Sequence, residues 1–171
     1  MTTRIGIGIV CFCCAWVSAA VPADEWTRFR GPNGSGSNGS GGPPSEWTED
    51  DINWRIELPG VGHSSPVLWE NRIFLTSGDE ETGERIFSCL DAATGDEVWS
   101  RSFPGSPHGK HKLNSFASPT PALDADRIYI TWGTPEEIVV LALSHDGEEQ
   151  WRVDLGPFQS GHGFGVSPIL F

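Results

Sequence analysis

The chain has 171 residues, 23 of them Asp or Glu against 11 Lys or Arg, for a formal net charge of −12. This acid excess argues against nucleic-acid binding, which needs a basic footprint, and against adhesion to anionic membrane surfaces. Of the cysteines, Cys11, Cys13 and Cys14 cluster near the start, and Cys89 alone follows them.

Residues 1–23 carry the pattern of a signal peptide. Arg4 gives a basic start, Ile5 to Val17 a short apolar run, and Ser18-Ala19-Ala20 and Val21-Pro22-Ala23 small residues suited to cleavage. The run is shorter than the roughly 20 residues of a comfortable membrane span. Residues Val10, Phe12 and Cys13, which precede the three early cysteines, do not suit a lipidation site. The expectation is export to the periplasm or the extracellular space, with no stable membrane span after cleavage. Once the segment is removed, Cys89 has no partner for an intramolecular disulfide and reads as a small buried hydrophobe.

Residues 24–51 read as an N-terminal docking segment followed by a linker. Trp26-Thr27-Arg28-Phe29-Arg30-Gly31-Pro32 is an aromatic–basic patch able to dock on a folded body. From Gly31 to Glu46 the chain is Gly, Ser, Pro and Asn with a single charge, a composition that buries no core. The string Gly34-Ser35-Gly36-Ser37-Asn38-Gly39 matches G-x-G-x-x-G, but neither a preceding strand nor a following helix accompanies it.

Residues 52–171 are organised by repetition. Ser65–Thr76 and Thr120–Thr131 align without a gap, with Pro66 matching Pro121 and Arg72 matching Arg127. Each copy runs on to a Gly followed by a Trp four residues later, Gly95 to Trp99 and Gly147 to Trp151. Trp54 holds the same position ahead of the first copy, so the three tryptophans are spaced 45 and 52 residues apart. The period, with four short apolar stretches in each copy, predicts a propeller of four-stranded blades. Strands are predicted over 65–69, 72–77, 85–90 and 97–103, and again over 120–123, 127–132, 137–143 and 149–155. A closing strand over 52–58, blades over 65–103 and 118–156, and the start of a further blade over 166–171 complete this division.

The repeat positions have a physical reading. Gly95 and Gly147 supply the positive φ of tight hairpin turns. Trp54, Trp99 and Trp151 lie on outer strands, where one ring per blade can pack across the gap to its neighbour.

Residues able to carry chemistry are sparse. His63, His108, His111 and His162 fall in connections between blades, at the rim where propeller ligands commonly sit. They are weak metal-site candidates, since no pair has zinc-finger spacing and no cysteine joins them; solvated or turn-capping roles are the simpler reading. His145 reads as a turn residue. No G-x-S-x-G elbow and no carboxylate in an apolar setting is present, so no catalytic residue is assigned.

The run Leu90-Asp-Ala-Ala-Thr-Gly95-Asp-Glu-Val-Trp99 resembles the repeat of pyrroloquinoline-quinone-type (PQQ-like) β-propellers. That family includes quinoprotein alcohol dehydrogenases and BamB-like proteins of the outer membrane. The second copy keeps Gly147 and Trp151 but has Ser144 and Asp146 where the family has Asp and Thr. Together with Ser64-Ser-Pro-Val67, the opening Trp26–Gly36 is similar to secreted PQQ-like propellers of planctomycete-type bacteria. The resemblance implies an all-β fold of seven or eight blades, of which about two are present here, and hence an N-terminal fragment of a longer protein. Two functions follow from it. The first is a non-catalytic binding or scaffolding module, with a protein or cell-envelope partner and no cofactor. The alternative is the N-terminal part of a quinoprotein dehydrogenase holding PQQ and calcium. Such enzymes use an adjacent-cysteine disulfide near the quinone, which the segment after residue 23 lacks.

Overall fold

In a computed structural model, residues 25–32, 34–37 and 44–171 are described. The expected signal peptide and the three early cysteines lie outside them, as does part of the linker. Two four-stranded antiparallel sheets account for every strand among the described residues. The first contains β1 (Val67–Trp69), β2 (Arg72–Gly78), β3 (Arg85–Asp91) and β4 (Glu97–Phe103). The second contains β5 (Ala122–Leu123), β6 (Ile128–Gly133), β7 (Ile138–Leu143) and β8 (Glu149–Asp154). Each sheet runs in simple sequential order, as a blade requires.

The repeat is legible in the register. Phe74 pairs with Val67 and Cys89, and Tyr129 pairs with Ala122 and Ala142. Both outer ladders shift register at the same place, between Cys89 and Leu90 and between Ala142 and Leu143. Beside these bulges Trp99 faces Cys89 and Trp151 faces Ala142. An extra residue in a ladder increases local twist, and it falls beside the equivalent tryptophan in both blades.

One apolar cluster joins the blades, with Val67, Phe74, Phe87 and Cys89 from the first packed against Leu123, Ile128, Ile130, Trp132, Val139, Leu141 and Leu143 of the second. Burial is high on β3, β5, β6 and β7, the strands that read as largely apolar runs. On the outer strands it is least, and every residue of β8 is exposed.

The inner strands are shorter than the sequence suggests, beginning at Val67 and Ala122 rather than at residues 65 and 120. Pro66 and Pro121 cannot donate to a ladder, and the residues before them are used between blades instead. Ser65 N donates to Thr120 Oγ1, and Thr120 N donates to Ser167 Oγ, both at 2.9 Å. Residues 52–58, expected as a closing strand, belong to no sheet. A strand needs a ladder partner, and this segment engages the first blade through the Trp54 side chain instead. The expected blade start at 166–171 is likewise in no ladder; Val166 O accepts from Thr131 Oγ1 at 2.8 Å. The N-terminal segment does pair with the first sheet: Trp26 and Leu68 exchange both backbone hydrogen bonds, at 3.1 and 2.9 Å.

Candidate functional site

The blades have two ends of different character. At one end lie the turns containing Gly95 and Gly147, each with positive φ (79° and 81°). Trp54 covers the first turn and Trp99 the second, so closely that a Cβ on Gly95 would sit 2.6 Å from the Trp54 ring. Trp54 Nε1 donates to Ala92 O and Trp99 Nε1 to His145 O, each at 3.0 Å. Arg72 of the first blade adds Nη1 bonds to His145 O at 2.7 Å and to the Asp146 carboxylate at 3.0 Å. Arg101 Nε donates to Gly147 O at 2.9 Å. This end fastens one blade to the next. His145, more than a turn residue, places its ring edge-on to Trp69 and Phe74 at 5.6 and 5.7 Å, with Nε2 2.8 Å from Asp124 O.

The other end carries the longer connections. The β6–β7 loop meets the 104–121 connection and the segment after β8 around a cleft of about 360 Å³. His108, Thr134, Phe158, Gln159 and Phe164 line it. The two phenylalanine rings meet edge to face at 5.2 Å, and the Phe164 ring leaves room for no side chain at Gly133, where a Cβ would lie 2.6 Å away. His108 packs its ring 4.8 Å from Phe116 and holds Nδ1 3.0 Å from Ser106 O. Lys110 pairs with Glu80 and lies over Phe116 at 5.0 Å, tying the β2–β3 loop to the connection. The mixture of aromatic faces, hydroxyls and backbone polar groups is of the kind that orients a bound ligand.

Of the four candidate histidines, the structure brings His111 and His162 together. Their rings stack at 5.5 Å, and His111 N donates to His162 O. His108 lines the neighbouring cleft, whereas His63 is engaged through its main chain, with N donating to Ala117 O at 3.1 Å. Among the described residues no three His, Cys, Asp or Glu side chains are grouped so as to hold a metal ion. Nor is any helix among them long and apolar enough to cross a membrane.

Two features at this end were not singled out in the sequence. Trp132 has two cations over its ring, Arg85 at 5.6 Å and Arg152 at 5.3 Å. Arg152 is also paired with Glu137 at 3.1 Å. Arg85 is buried at the start of β3, and burial lowers its pKa to about 10 against the opposing pull of Glu137. The available signal was a lone Arg opening a largely apolar strand.

Compared with known proteins, residues 47–133 match the family model described as outer membrane protein assembly factor BamB. The matched span takes in the whole first blade together with β5 and β6. No curated protein matches the chain.

Proposed function

The chain belongs to the BamB family of PQQ-like repeat proteins, and on that premise we propose that it is an exported, non-catalytic propeller module that binds a protein partner of the cell envelope. The observation that carries this reading is the division between the two ends of the blades. One end is committed to fastening blades through Trp54, Trp99 and their glycine turns. The other presents the 360 Å³ aromatic–polar cleft on loops held by that base. Loops on a rigid scaffold are where such folds place recognition. The family's description concerns assembly of outer membrane proteins, and a protein client or partner in that setting is the class of ligand proposed here. No cofactor is required for this role.

Site-specific photo-crosslinking in the native host tests the reading. A photoreactive residue at Gln159, beside the cleft, should give a discrete crosslinked species in the cell envelope, whereas one at Asp146, on the fastening end, should not. Equal labelling at both positions would refute it. Titration with PQQ and calcium separates it from the dehydrogenase reading. The chain should bind them no better than a control protein does, and saturable micromolar binding would favour the quinoprotein.

A further inference from the structure

Arg85 is 5% exposed, and its guanidinium has little to hold it in the protein. Nη1 donates to Gly83 O at 3.3 Å, and the fully buried Nε has no hydrogen-bond acceptor. Glu137, the acid whose charge acts on it, is in an ion pair with Arg152. A guanidinium cannot shed its proton to escape such a setting, and a buried charge is ordinarily paired. The surroundings are nevertheless built around it. Gly105 passes so close that a Cβ there would come within 2.8 Å of Arg85 Nη1. Trp132 supplies a π face on which the guanidinium rests.

Arg85 borders an open cleft of about 280 Å³, together with Gly105, Ser106, Thr134 and Glu136. At about 30 Å³ per water molecule, this is room for a group of several heavy atoms. Both blades that form its walls are within this chain, so the cleft does not depend on any further blade. A void of about 10 Å³ also adjoins Arg85 on the core side and is at the lower limit for a single water. One water there would not neutralise the charge.

We propose that this cleft is a binding subsite for a monocarboxylate group, with the Arg85 guanidinium as its anchor and Ser106 on its wall. The planar guanidinium fork matches a carboxylate in two-point geometry. A dianion such as phosphate suits the site less, because Glu136 and Glu137 line the same cleft and the chain has a net charge of −12. The carboxylate can belong to a free small acid or to the end of a peptide. The subsite is independent of the protein partner proposed above and stands whether or not that partner exists.

The test is nuclear magnetic resonance on the ¹⁵N-labelled full chain, following the arginine Nε–H signals at neutral pH. Sodium acetate should shift the Arg85 signal saturably in the millimolar range, while sodium chloride at matched ionic strength should not. Phosphate should bind at least several-fold more weakly than acetate. Glu136→Gln, an exposed substitution that leaves the fold intact, should tighten acetate binding several-fold by removing a repelling charge. Arg85→Lys should weaken it tenfold or more. Pentaglycine with a free C-terminus, compared with its amidated form, identifies the source. Tighter binding than acetate by the free form alone points to a chain terminus, and binding no tighter than acetate points to a small acid. The proposal is overturned if acetate gives no saturable shift at decimolar concentration, if chloride reproduces the shift, if phosphate binds as tightly, or if Glu136→Gln leaves acetate affinity unchanged.

Discussion

Trp99 and Trp151 occupy the same position in the two repeats, yet only Trp99 has a neighbouring glycine turn beneath it. This makes a controlled comparison within one chain. Trp99 is half-buried against Gly147, Phe74 and Phe87, with ring centroids 6.1 and 5.6 Å from the two phenylalanines. If truncation to Ala returns roughly 100 Å² of apolar contact to water at about 25 cal/mol per Å², the loss is about 2.5 kcal/mol. Breaking the Nε1–His145 hydrogen bond adds about 1 kcal/mol, and residual burial in the unfolded chain reduces the sum somewhat. Trp99→Ala should therefore cost about 3 kcal/mol, and Trp99→Phe, which keeps a ring but loses the donor, about 1–1.5 kcal/mol. Trp151 is 39% exposed and touches Tyr129 at a ring distance of 5.9 Å. Its replacement by Ala should cost less than about 1 kcal/mol. Urea denaturation followed by far-ultraviolet circular dichroism reads all three as midpoint shifts. Equal losses for Trp99→Ala and Trp151→Ala, or for Trp99→Ala and Trp99→Phe, would refute the claim that ring burial and the indole donor fasten the blades.

The same interface predicts a coupling. Gly147→Ala places a Cβ 3.0 Å from the Trp99 ring at φ 81°, so it should cost about 2 kcal/mol in the native chain and measurably less in a Trp99→Ala background. Thr120 is buried and accepts from Ser65 N; Thr120→Val should lose about 1–3 kcal/mol by leaving that N–H unpaired, again read as a urea midpoint. Burial raises the Cys89 thiol pKa to about 11. Cys89 in the native chain should thus resist iodoacetamide at mildly alkaline pH and react once unfolded, read by mapping the alkylated cysteine, and stability should begin to fall as pH rises past the ordinary thiol value, because the unfolded chain ionises first. Burial opposes the Asp124 charge, but bonds from Asp126 N, Arg127 N and the Tyr129 hydroxyl outweigh it and hold the carboxyl below its usual range. Its contribution is present above the unfolded carboxyl value and is lost as pH falls through the folded one. Asp124→Asn should flatten the acid limb of the pH–stability curve, and an unchanged limb would show that those bonds do not discriminate the charged form.

The blades were legible because their signals are local and occur twice. Alternate Gly and Trp, prolines at strand starts and β-branched runs each specify a turn, an edge or a covered strand, and agreement between copies removes ambiguity. What was not legible depends on contacts between the copies. Nothing in the composition of Arg72 or Arg85 separates one that bridges blades from one buried beneath a loop; that difference arises only when β3 lies beside Trp132. The paired histidines are a similar case, since His111 and His162 come from different connections that converge at the rim. Segment 52–58 has the sequence of an outer strand yet lies in neither sheet. Sequence reports propensity for a ladder, and the ladder itself needs a neighbour.

The comparison between repeats also locates where variation is tolerated. At the fastening end a change of one residue in turn length, between Ala92–Gly95 and His145–Gly147, still leaves a carbonyl for the indole of the preceding blade. Geometry there is held by a ring, a glycine and one hydrogen bond, and departures from it carry a cost in stability. The loop end obeys no such rule. The β2–β3 loop is tied down by Asp79, which accepts from Glu81 N and Thr82 N, while the β6–β7 loop is organised by Thr134, which accepts from Glu136 N and Glu137 N. Different chemistry thus closes equivalent loops, leaving the acids and aromatics around each free to differ. A repeat that must stack but need not recognise the same thing twice is freer to diverge at this end. The clefts beside His108 and Arg85 both lie there, on a base whose position is set independently by the tryptophans at the other end.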